Sequence, residues 1–332
     1  MTRATLDPHD FFRRIPPLHD RVRARTTATA DAIVLCHLGV PRLDRDAWSL
    51  TVDGLVARTR VLRFEDLARY PQATVTSMHQ CAGSPLQPAE PMRRICNLAW
   101  SGARLADILA DCRPAAAAKF VWAQGADHGA FDGIAVDAYV KDFPIERAAA
   151  DVLIAYELNG APLPAEHGFP ARLMIPGYYG TNSVKWLTRL TLAEGRAHGP
   201  FTTRWYNDPV RDADGRDTGR TAPVWAITPE SVLVAPAADE AVSAAIEREI
   251  WGWAWADGGV RAVAVTCDDG ASWQPAQLEA PRGREWQRFA LRWTPMARGA
   301  VRLASRATST DGARQPESGW RNAIHYVPVS VI

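Results

Sequence analysis

The sequence predicts an α+β domain followed by an all-β sandwich. Three observations support this prediction. At 332 residues the chain exceeds the usual size of one hydrophobic core. Its first two thirds combine short strand-like segments with an amphipathic helix, and only strand-like segments follow a polar, turn-rich stretch near Asp208. We therefore predict an N-terminal arm over residues 1–30, a first domain over 31–208, a linker over 209–222 and a second domain over 223–332.

The N-terminal arm mixes Pro, Arg, His and Thr without sustained periodicity, which indicates an extended segment lying over the surface. Arg13 and Arg14 are followed by Ile-Pro-Pro, which is not the sequel of a twin-arginine export signal. We therefore interpret this pair as surface charge.

In the first domain, residues 32–39 and 48–54 have strand patterns, and Asp53-Gly54 predicts a hairpin turn after the second. A helix is predicted over 104–112, because Leu105, Ile108, Leu109 and Cys112 have the spacing of one helix face. Further strands are predicted over residues 119–124, 152–157, 172–175 and 184–192.

In the second domain, Trp251, Trp253 and Trp255 alternate with small residues, so their indoles should project from one face of a strand. A strand over 260–267 and a turn at Asp269-Gly270 follow. More short strands are predicted over residues 271–278, 289–293 and 300–308. This spacing is typical of an all-β sandwich.

Composition favours a small-molecule partner in a cytoplasmic protein. With 38 basic and 37 acidic residues the net charge is +1, which gives no electrostatic reason to expect nucleic-acid or membrane-surface binding. No apolar run approaches the roughly 20 residues of a membrane helix. The five cysteines have no regular spacing, which suits a reducing compartment and no disulfide framework.

Three segments carry most of the chemistry. Residues 77–83 (SMHQCAG) set the Cys81 thiol in a turn with small neighbours, while residues 166–172 (EHGFPAR) and 177–186 (GYYGTNSVKW) combine cationic side chains with glycine-rich backbone. A soft ligand together with such segments suits a metal held by an anionic organic cofactor.

These segments resemble the molybdenum-cofactor domain of the sulfite oxidase family. The resemblance runs from about residue 32 to 332, and residues 151–192 (DVLIAYELNGAPLPAEHGFPARLMIPGYYGTNSVKWLTRLTL) carry its most specific part. It implies a molybdopterin-binding domain with the sulfite oxidase fold and a molybdenum–molybdopterin cofactor. It also implies that the second domain is immunoglobulin-like and that it pairs two subunits in a homodimer.

The resemblance implies that Cys81 is the molybdenum ligand, and thiolates bind such soft metals well. The ordinary alternative is a buried cysteine acting as a small hydrophobe, which is our interpretation of the other four. Asp127 is either a cofactor contact or a turn residue. The remaining positions that match cofactor contacts of the family are His37, His167, Arg172, Gly180, Thr181, Ser183 and Lys185.

The chain departs from the family where the substrate binds. Leu35-Cys36-His37 stands where Arg-Asn-His is usual, and Ser84-Pro85-Leu86 where Asn-Arg-Arg is usual. Arginines supply the charge and forked donors that a sulfite dianion needs. The candidate substrate contacts here are Arg93, Arg94 and Trp100, although core packing explains the indole equally well. Tyr206 is the candidate proton relay.

The predicted function is two-electron oxygen-atom transfer at a cysteine-ligated molybdenum centre. Sulfite is the first candidate substrate, and the missing arginines favour a less charged S- or N-oxide compound. No CxxCH haem site or iron–sulfur cysteine set occurs in the sequence, so an external electron acceptor is expected. The alternative is a non-catalytic cofactor-binding or β-domain assembly protein.

Overall fold

A computed structural model describes residues 12–14, 22–83, 94–212 and 216–332. The chain divides into two compact units, each built from several segments. Unit 1 comprises Met1–Arg14, Val34–Val75 and Ala99–Trp225, and unit 2 comprises Ile15–Ile33, Thr76–Leu98 and Ala226–Ile332. The linear domain boundaries given above stay a prediction. Among the described residues, no helix combines the length and the apolar character needed to cross a membrane.

Unit 1 consists mainly of β-sheet with a few short helices. Its helices are α1 (Phe64–Leu67), α2 (Leu105–Cys112) and α3 (Pro200–Thr203). The strands that lie in it or extend into it are β1 (Phe12–Arg14), β2 (Val34–Cys36), β3 (Ser49–Gly54), β4 (Arg60–Arg63), β5 (Gln72–Gln80), β6 (Ile95–Arg104), β7 (Phe120–Gly125), β8 (Gly129–Phe131), β9 (Ile134–Val136), β10 (Val140–Pro144), β11 (Leu153–Leu158), β12 (Ala161–Pro162), β13 (Arg172–Met174), β14 (Leu187–Ala193), β15 (Asn207–Arg211) and β16 (Asp217–Pro223).

Two larger sheets organise these strands, one in the order β10-β7-β14-β3-β4 and the other in the order β12-β11-β6-β5, with β13 also paired to β11. Helix α2 contributes the four residues that the spacing predicted, and all four are buried in the unit's main apolar core together with Val121 of β7. The predicted helix is therefore confirmed.

The predicted hairpin turn at Asp53-Gly54 is wrong. Strand β4 pairs with β3 only from Arg60 onward, opposite Val52, so a longer loop joins the two strands. Gly54 does adopt a positive φ of 82°, but its next residue, Leu55, donates its N–H to the carbonyl of Leu192 at 2.8 Å. A Cβ at Gly54 would overlap that same carbonyl, so close approach of β14 requires the glycine.

The strand predicted over 184–192 begins only at Leu187. Trp186 before it has φ 48°, a left-handed conformation that a bulky residue rarely adopts. Its indole N–H donates to the carbonyl of Ala165 at 2.8 Å, and the ring packs with Val34, Cys36 and Val40. This kink lies directly beside Lys185, one of the predicted cofactor residues.

Unit 2 is built around a β-sandwich. Its strands are β17 (Glu230–Ala235), β18 (Glu240–Val242), β19 (Arg248–Trp255), β20 (Val260–Thr266), β21 (Gln274–Pro275), β22 (Gln277–Leu278), β23 (Gln287–Trp293), β24 (Gly299–Ser309) and β25 (Tyr326–Val331). One sheet has the order β17-β19-β23-β22 and the other β18-β25-β24-β20-β21. The single strand predicted over 271–278 is two short strands, β21 and β22, one in each sheet.

Strand β19 shows the predicted alternation. Ile250 and Ala254 face the core between the two sheets, as does Gly252, whose close neighbours are Val232 and Phe289. The tryptophans therefore share the opposite face, where Trp253 lies against Trp286 with ring centroids 5.0 Å apart.

Candidate active site

The predicted cofactor residues of unit 1 form a connected group, which we call the cofactor cluster: His37, Asp127, His167, Arg172 and Lys185. Its centre is Lys185, whose Nζ donates to the carbonyl oxygens of Leu35 and Glu166, both at 3.0 Å. The same Nζ lies 2.8 Å from Sγ of Cys36. Burial lowers the pKa of Lys185 and raises that of Cys36.

Arg172 is 2% exposed and lies at the start of β13. Its guanidinium donates to the carbonyl of His167 at 3.0 Å and to the carbonyl of Ser183 at 2.8 Å, which joins two loops of the cofactor cluster. It also lies 4.8 Å from the ring centroid of Trp100. The buried indole, predicted as a substrate contact, therefore packs on a cluster residue.

Asp127 follows β7, in a loop whose backbone bonds to Tyr139. The residue is 5% exposed, and Oδ1 of its carboxyl group has no hydrogen-bond partner among the described residues. Burial raises the pKa of Asp127 to about 7, although the charge of Lys185 acts to lower it. An unsatisfied buried oxygen of this kind is costly, and a ligand with N–H donors would satisfy it.

The glycine-rich loop after β13 holds Gly180, Thr181 and Ser183. Gly180–Asn182 forms a 3₁₀ turn, and the Ser183 hydroxyl oxygen accepts the N–H of Ile175 at 3.0 Å. The Tyr139 hydroxyl donates to the carbonyl of Thr181 at 2.8 Å and lies 2.6 Å from its Oγ1. Thr181 is thus tied to Tyr139, and Ser183 to the strand that carries Arg172.

His37 lies just after β2 in an aromatic setting. Its ring centroid is 4.7 Å from that of Phe131, 5.5 Å from that of Phe201 and 5.7 Å from that of Tyr139. Burial, assisted by the charges of Lys185 and Lys141, lowers the pKa of His37 to about 3, so the imidazole is neutral at pH 7. Its Nε2 lies 2.6 Å from the hydroxyl of Tyr206, the predicted proton relay.

Cys81 follows β5 in unit 2 and is partly exposed, unlike the buried Cys36, Cys96 and Cys112. Its N–H donates to the carbonyl of Arg94 at 2.9 Å, and the Arg94 guanidinium donates to the carbonyl of Gly83 at 3.2 Å. A Cβ at Gly83 would lie 3.6 Å from Nη1 of Arg94 and 3.9 Å from Sγ of Cys81. Arg94 is therefore placed beside the predicted ligand, whereas Arg93 lies outside the described residues, as do Ser84, Pro85 and Leu86.

Sequence reasoning missed two parts of this site. The interpretation of Arg14 as surface charge is wrong, because its guanidinium donates to Glu166 at 3.2 Å and to Nε2 of His167 at 3.0 Å. The aromatic surroundings of His37 and the buried Lys141 near them were also not recognised. Pairing of β1 with β2 and folding of distant segments create both arrangements, and no local pattern indicates them.

The cofactor cluster fits an anionic, donor-rich heterocycle. It offers two cationic side chains, a buried carboxyl group with an unsatisfied oxygen, and neutral imidazole. Gly168 has φ 106°, and a Cβ there would lie 3.1 Å from the Cβ atoms of both Arg172 and Lys185. The backbone therefore passes close to both cations, as a site that grips an organic anion requires.

Comparison with known proteins agrees with this fit. Residues 37–201 match the family model described as the oxidoreductase molybdopterin binding domain, and residues 221–325 match the Mo-co oxidoreductase dimerisation domain. Among solved structures, the sulfane dehydrogenase SoxCD from Paracoccus pantotrophus is similar with a TM-score of 0.77 and 25% identity, covering 96% of this chain and 90% of that one. The predicted fold class and the molybdenum–molybdopterin cofactor are confirmed.

Sulfite oxidase from Gallus gallus is 34% identical over 85% of this chain and 70% of its own length. The mitochondrial sulfite oxidase of Homo sapiens is 32% identical over 77% of this chain, which spans only 50% of that protein. The chain belongs to the sulfite oxidase family of molybdopterin-dependent oxidoreductases.

Proposed function

We propose that this chain catalyses two-electron oxygen-atom transfer to or from a small substrate, with Cys81 as the protein ligand of molybdenum. The bound cofactor supplies the redox chemistry, and the protein supplies binding, orientation and control of protons. The observation that carries this proposal is the cofactor cluster, in which Lys185, Arg172 and the unsatisfied carboxyl oxygen of Asp127 converge in unit 1.

Each member of the cofactor cluster has a distinct role in this proposal. Arg172 and Lys185 neutralise the anionic cofactor, while Asp127 accepts from its N–H donors. His37 and His167 contribute imidazole nitrogens, and the loop from Gly180 to Ser183 contributes backbone amides. Arg14 acts through Glu166 and His167, which it holds in place.

For the substrate, we propose an S- or N-oxide compound less charged than sulfite. Leu35 stands where the family resemblance predicts an arginine, and the neighbouring His37 is neutral and packed among aromatic rings. A dianion would gain little electrostatic attraction there to offset the free-energy cost of its desolvation. The similar solved structure is named a sulfane dehydrogenase, so a protein with this fold is named for a sulfur substrate other than sulfite. Arg94, beside Cys81, is the remaining cation proposed to contact the substrate.

We further propose that two copies of the chain pair through the second domain and that electrons leave to an external acceptor. The match to a dimerisation domain over residues 221–325 supports the pairing. Cytoplasmic residence stays a prediction from composition, and five of the similar proteins are named as mitochondrial. Fractionation of the source cells with an antibody to the chain would decide the location.

The molybdenum content of the purified chain tests the proposed function. We expect about one molybdenum atom per chain after expression in a host that makes the cofactor, and loss of molybdenum and turnover in Cys81→Ser. Cys267→Ser is the matched control, since this thiol is also partly exposed but burial raises its pKa to about 12. Metal-free wild-type protein would instead support the non-catalytic alternative.

A second assay tests the substrate. We expect reduction of a dialkyl sulfoxide or an amine N-oxide with an artificial electron donor, or oxidation of the corresponding sulfide or amine with an artificial acceptor, to have a higher kcat/KM than oxidation of sulfite with the same acceptor. If sulfite is the better substrate, the proposed preference is wrong while the proposed reaction class stands.

A further inference from the structure

Lys141 is a buried cation that takes no part in the proposed contacts with the cofactor. It lies on β10 with 1% of its surface exposed, and its Nζ donates to the carbonyl of Phe201 at 2.9 Å. The next residue, Asp142, is already paired with Arg196, whose guanidinium donates to both carboxyl oxygens of Asp142 at 2.9 Å. Among the described residues, Lys141 forms no ion pair of its own. Its ammonium group therefore acts on the polarisable groups beside it.

One of these groups is the phenol of Tyr206. Nζ of Lys141 lies 5.1 Å from the centroid of the Tyr206 ring, within the range of cation–π attraction. Tyr206 has φ 61°, and this left-handed backbone, rare for a bulky residue, orients the ring. The hydroxyl lies 2.6 Å from Nε2 of His37. When the proton of the neutral imidazole is on Nδ1, Nε2 accepts this hydrogen bond and the phenol donates it.

The surroundings strengthen any effect of charge. His37 is 8% exposed, and Phe131 and Phe201 cover it. Lys141 and His37 are buried and Tyr206 is half-buried, so a positive charge on Lys141 acts on the phenol at a lower effective dielectric constant than in water. A cation beside the ring stabilises the phenolate relative to the phenol, which strengthens the O–H group as an acid and as a hydrogen-bond donor.

We propose that Lys141 is a positioning residue whose charge, acting through the Tyr206 ring, controls the proton that Tyr206 shares with His37. Lys141 does not reach the substrate itself. This inference rests on the proposed function, because it assigns Tyr206 and His37 to proton handling beside the cofactor. The proton stays on the phenol oxygen, because the imidazole has a pKa of about 3, and the charge of Lys141 changes how strongly this O–H group donates to Nε2.

The charge of Lys141 changes near neutral pH. Burial lowers the pKa of Lys141 to about 7, with Arg196 lowering it further and Asp142 opposing. The other charge that acts on His37 is that of Lys185, which also lowers the pKa of the imidazole. Below pH 7 the ammonium is present and the Tyr206 proton is more acidic. As pH rises through 7 the charge is lost and the phenol becomes a weaker acid.

Nuclear magnetic resonance of protein labelled at tyrosine ¹³Cζ tests the coupling without any need for turnover. Tyr206→Phe identifies the Tyr206 signal by its disappearance. We expect this signal to shift with pH in the wild-type protein with a midpoint near 7. Lys141→Met should abolish the shift, and Lys141→Arg should hold the signal at its low-pH position. Lys119→Met, which removes an exposed lysine, is the control and should behave as the wild type.

A flat signal in wild type, or an unchanged midpoint in Lys141→Met, would overturn the inference. The pH profile of kcat gives a second measurement. In wild type we expect kcat to fall severalfold above pH 7 while KM stays unchanged. In Lys141→Arg kcat should stay high, and in Lys141→Met the profile should lack this step. Failure of the proposed function is distinguishable, since it would remove turnover but leave the tyrosine titration intact.

Discussion

At the scale of single residues, His37 shows what the sequence could and could not predict. Its identity and its position after a short strand were enough to match it to a cofactor-contacting histidine. Its protonation state was not predictable, because that depends on Lys141, Lys185 and aromatic rings from distant segments. The same holds for Tyr206, whose partner lies 169 positions away in sequence.

Asp127 has a pKa that makes a sharp prediction for the cofactor-free protein. Its folded-state pKa of about 7 lies above the ordinary 3.8, so the folded state binds the proton more tightly. The stability that this group contributes is fully present below pH 3.8 and is lost as pH rises through 7. Asp127→Asn removes this dependence, because the amide cannot ionise.

We therefore expect the difference in melting temperature between cofactor-free Asp127→Asn and cofactor-free wild type, variant minus wild type, to increase from pH 4 to pH 8. The corresponding change in the free energy of unfolding is up to about 4 kcal/mol. Asp137→Asn, at an exposed position near the same segment, should change little. Parallel pH dependence in Asp127→Asn and wild type would show that this carboxyl group is not buried as described.

At the scale of elements, the sequence predicted those with a strong period and failed where the backbone needs an unusual conformation. Helix α2 and strand β19 follow from spacings of 3.6 and 2. The strand before Leu187 is interrupted at Trp186, and Gly54 serves the approach of β14 instead of a tight turn. The local sequence predicts neither backbone conformation, because each depends on which segment of the folded chain lies next to it.

Gly252 of β19 gives a test of close packing in the sandwich. A Cβ at this position would overlap the carbonyl oxygen of Val232 and lie 2.8 Å from Cζ of Phe289. Since both neighbours belong to paired strands, Gly252→Ala should lower the free energy of unfolding by about 2 kcal/mol or more.

Calorimetric melting of the two alanine variants Gly252→Ala and Gly195→Ala measures this effect. Gly195 is exposed, with no atom within 4 Å of an added Cβ, so Gly195→Ala should melt within about 2 °C of wild type. Equal melting of Gly252→Ala and wild type would contradict the packing described for β17, β19 and β23.

At the scale of the whole molecule, each compact unit combines segments that are far apart in the sequence, while the linear domain boundaries stay a prediction. Residues 76–83, which include Cys81, and residues 94–98 belong to the same unit as the C-terminal part of the chain. Hydrogen bonds explain this placement: the Trp255 indole donates to Gln80 at 2.9 Å, and Met78 donates its N–H to Arg284 at 3.0 Å. Sequence distance gives no signal for such contacts.

The proposed homodimer has a candidate contact surface in unit 2, which we call the apolar patch: Ile246, Met296 and Ile332. These side chains are 62%, 79% and 57% exposed, the largest exposures of bulky apolar residues in this unit's described part. Backbone bonds of 2.8 Å from Ala244 to Ile332 and from Ala245 to Pro295 hold the three segments side by side. Clustered exposed apolar residues of this kind mark association surfaces.

If two copies pair through the apolar patch, Ile246→Glu combined with Met296→Glu should place like charges in the contact and separate the subunits. Light scattering coupled to size-exclusion chromatography should then report about 36 kDa in place of twice that mass. Val61→Glu provides the control, because Val61 is also 62% exposed but lies in unit 1, and the mass should not change. Both substitutions replace exposed side chains, so melting temperatures near that of wild type should accompany either result. A wild-type mass of one chain would refute the homodimer, whereas a stable dimer of the double variant would place the contact elsewhere on the chain.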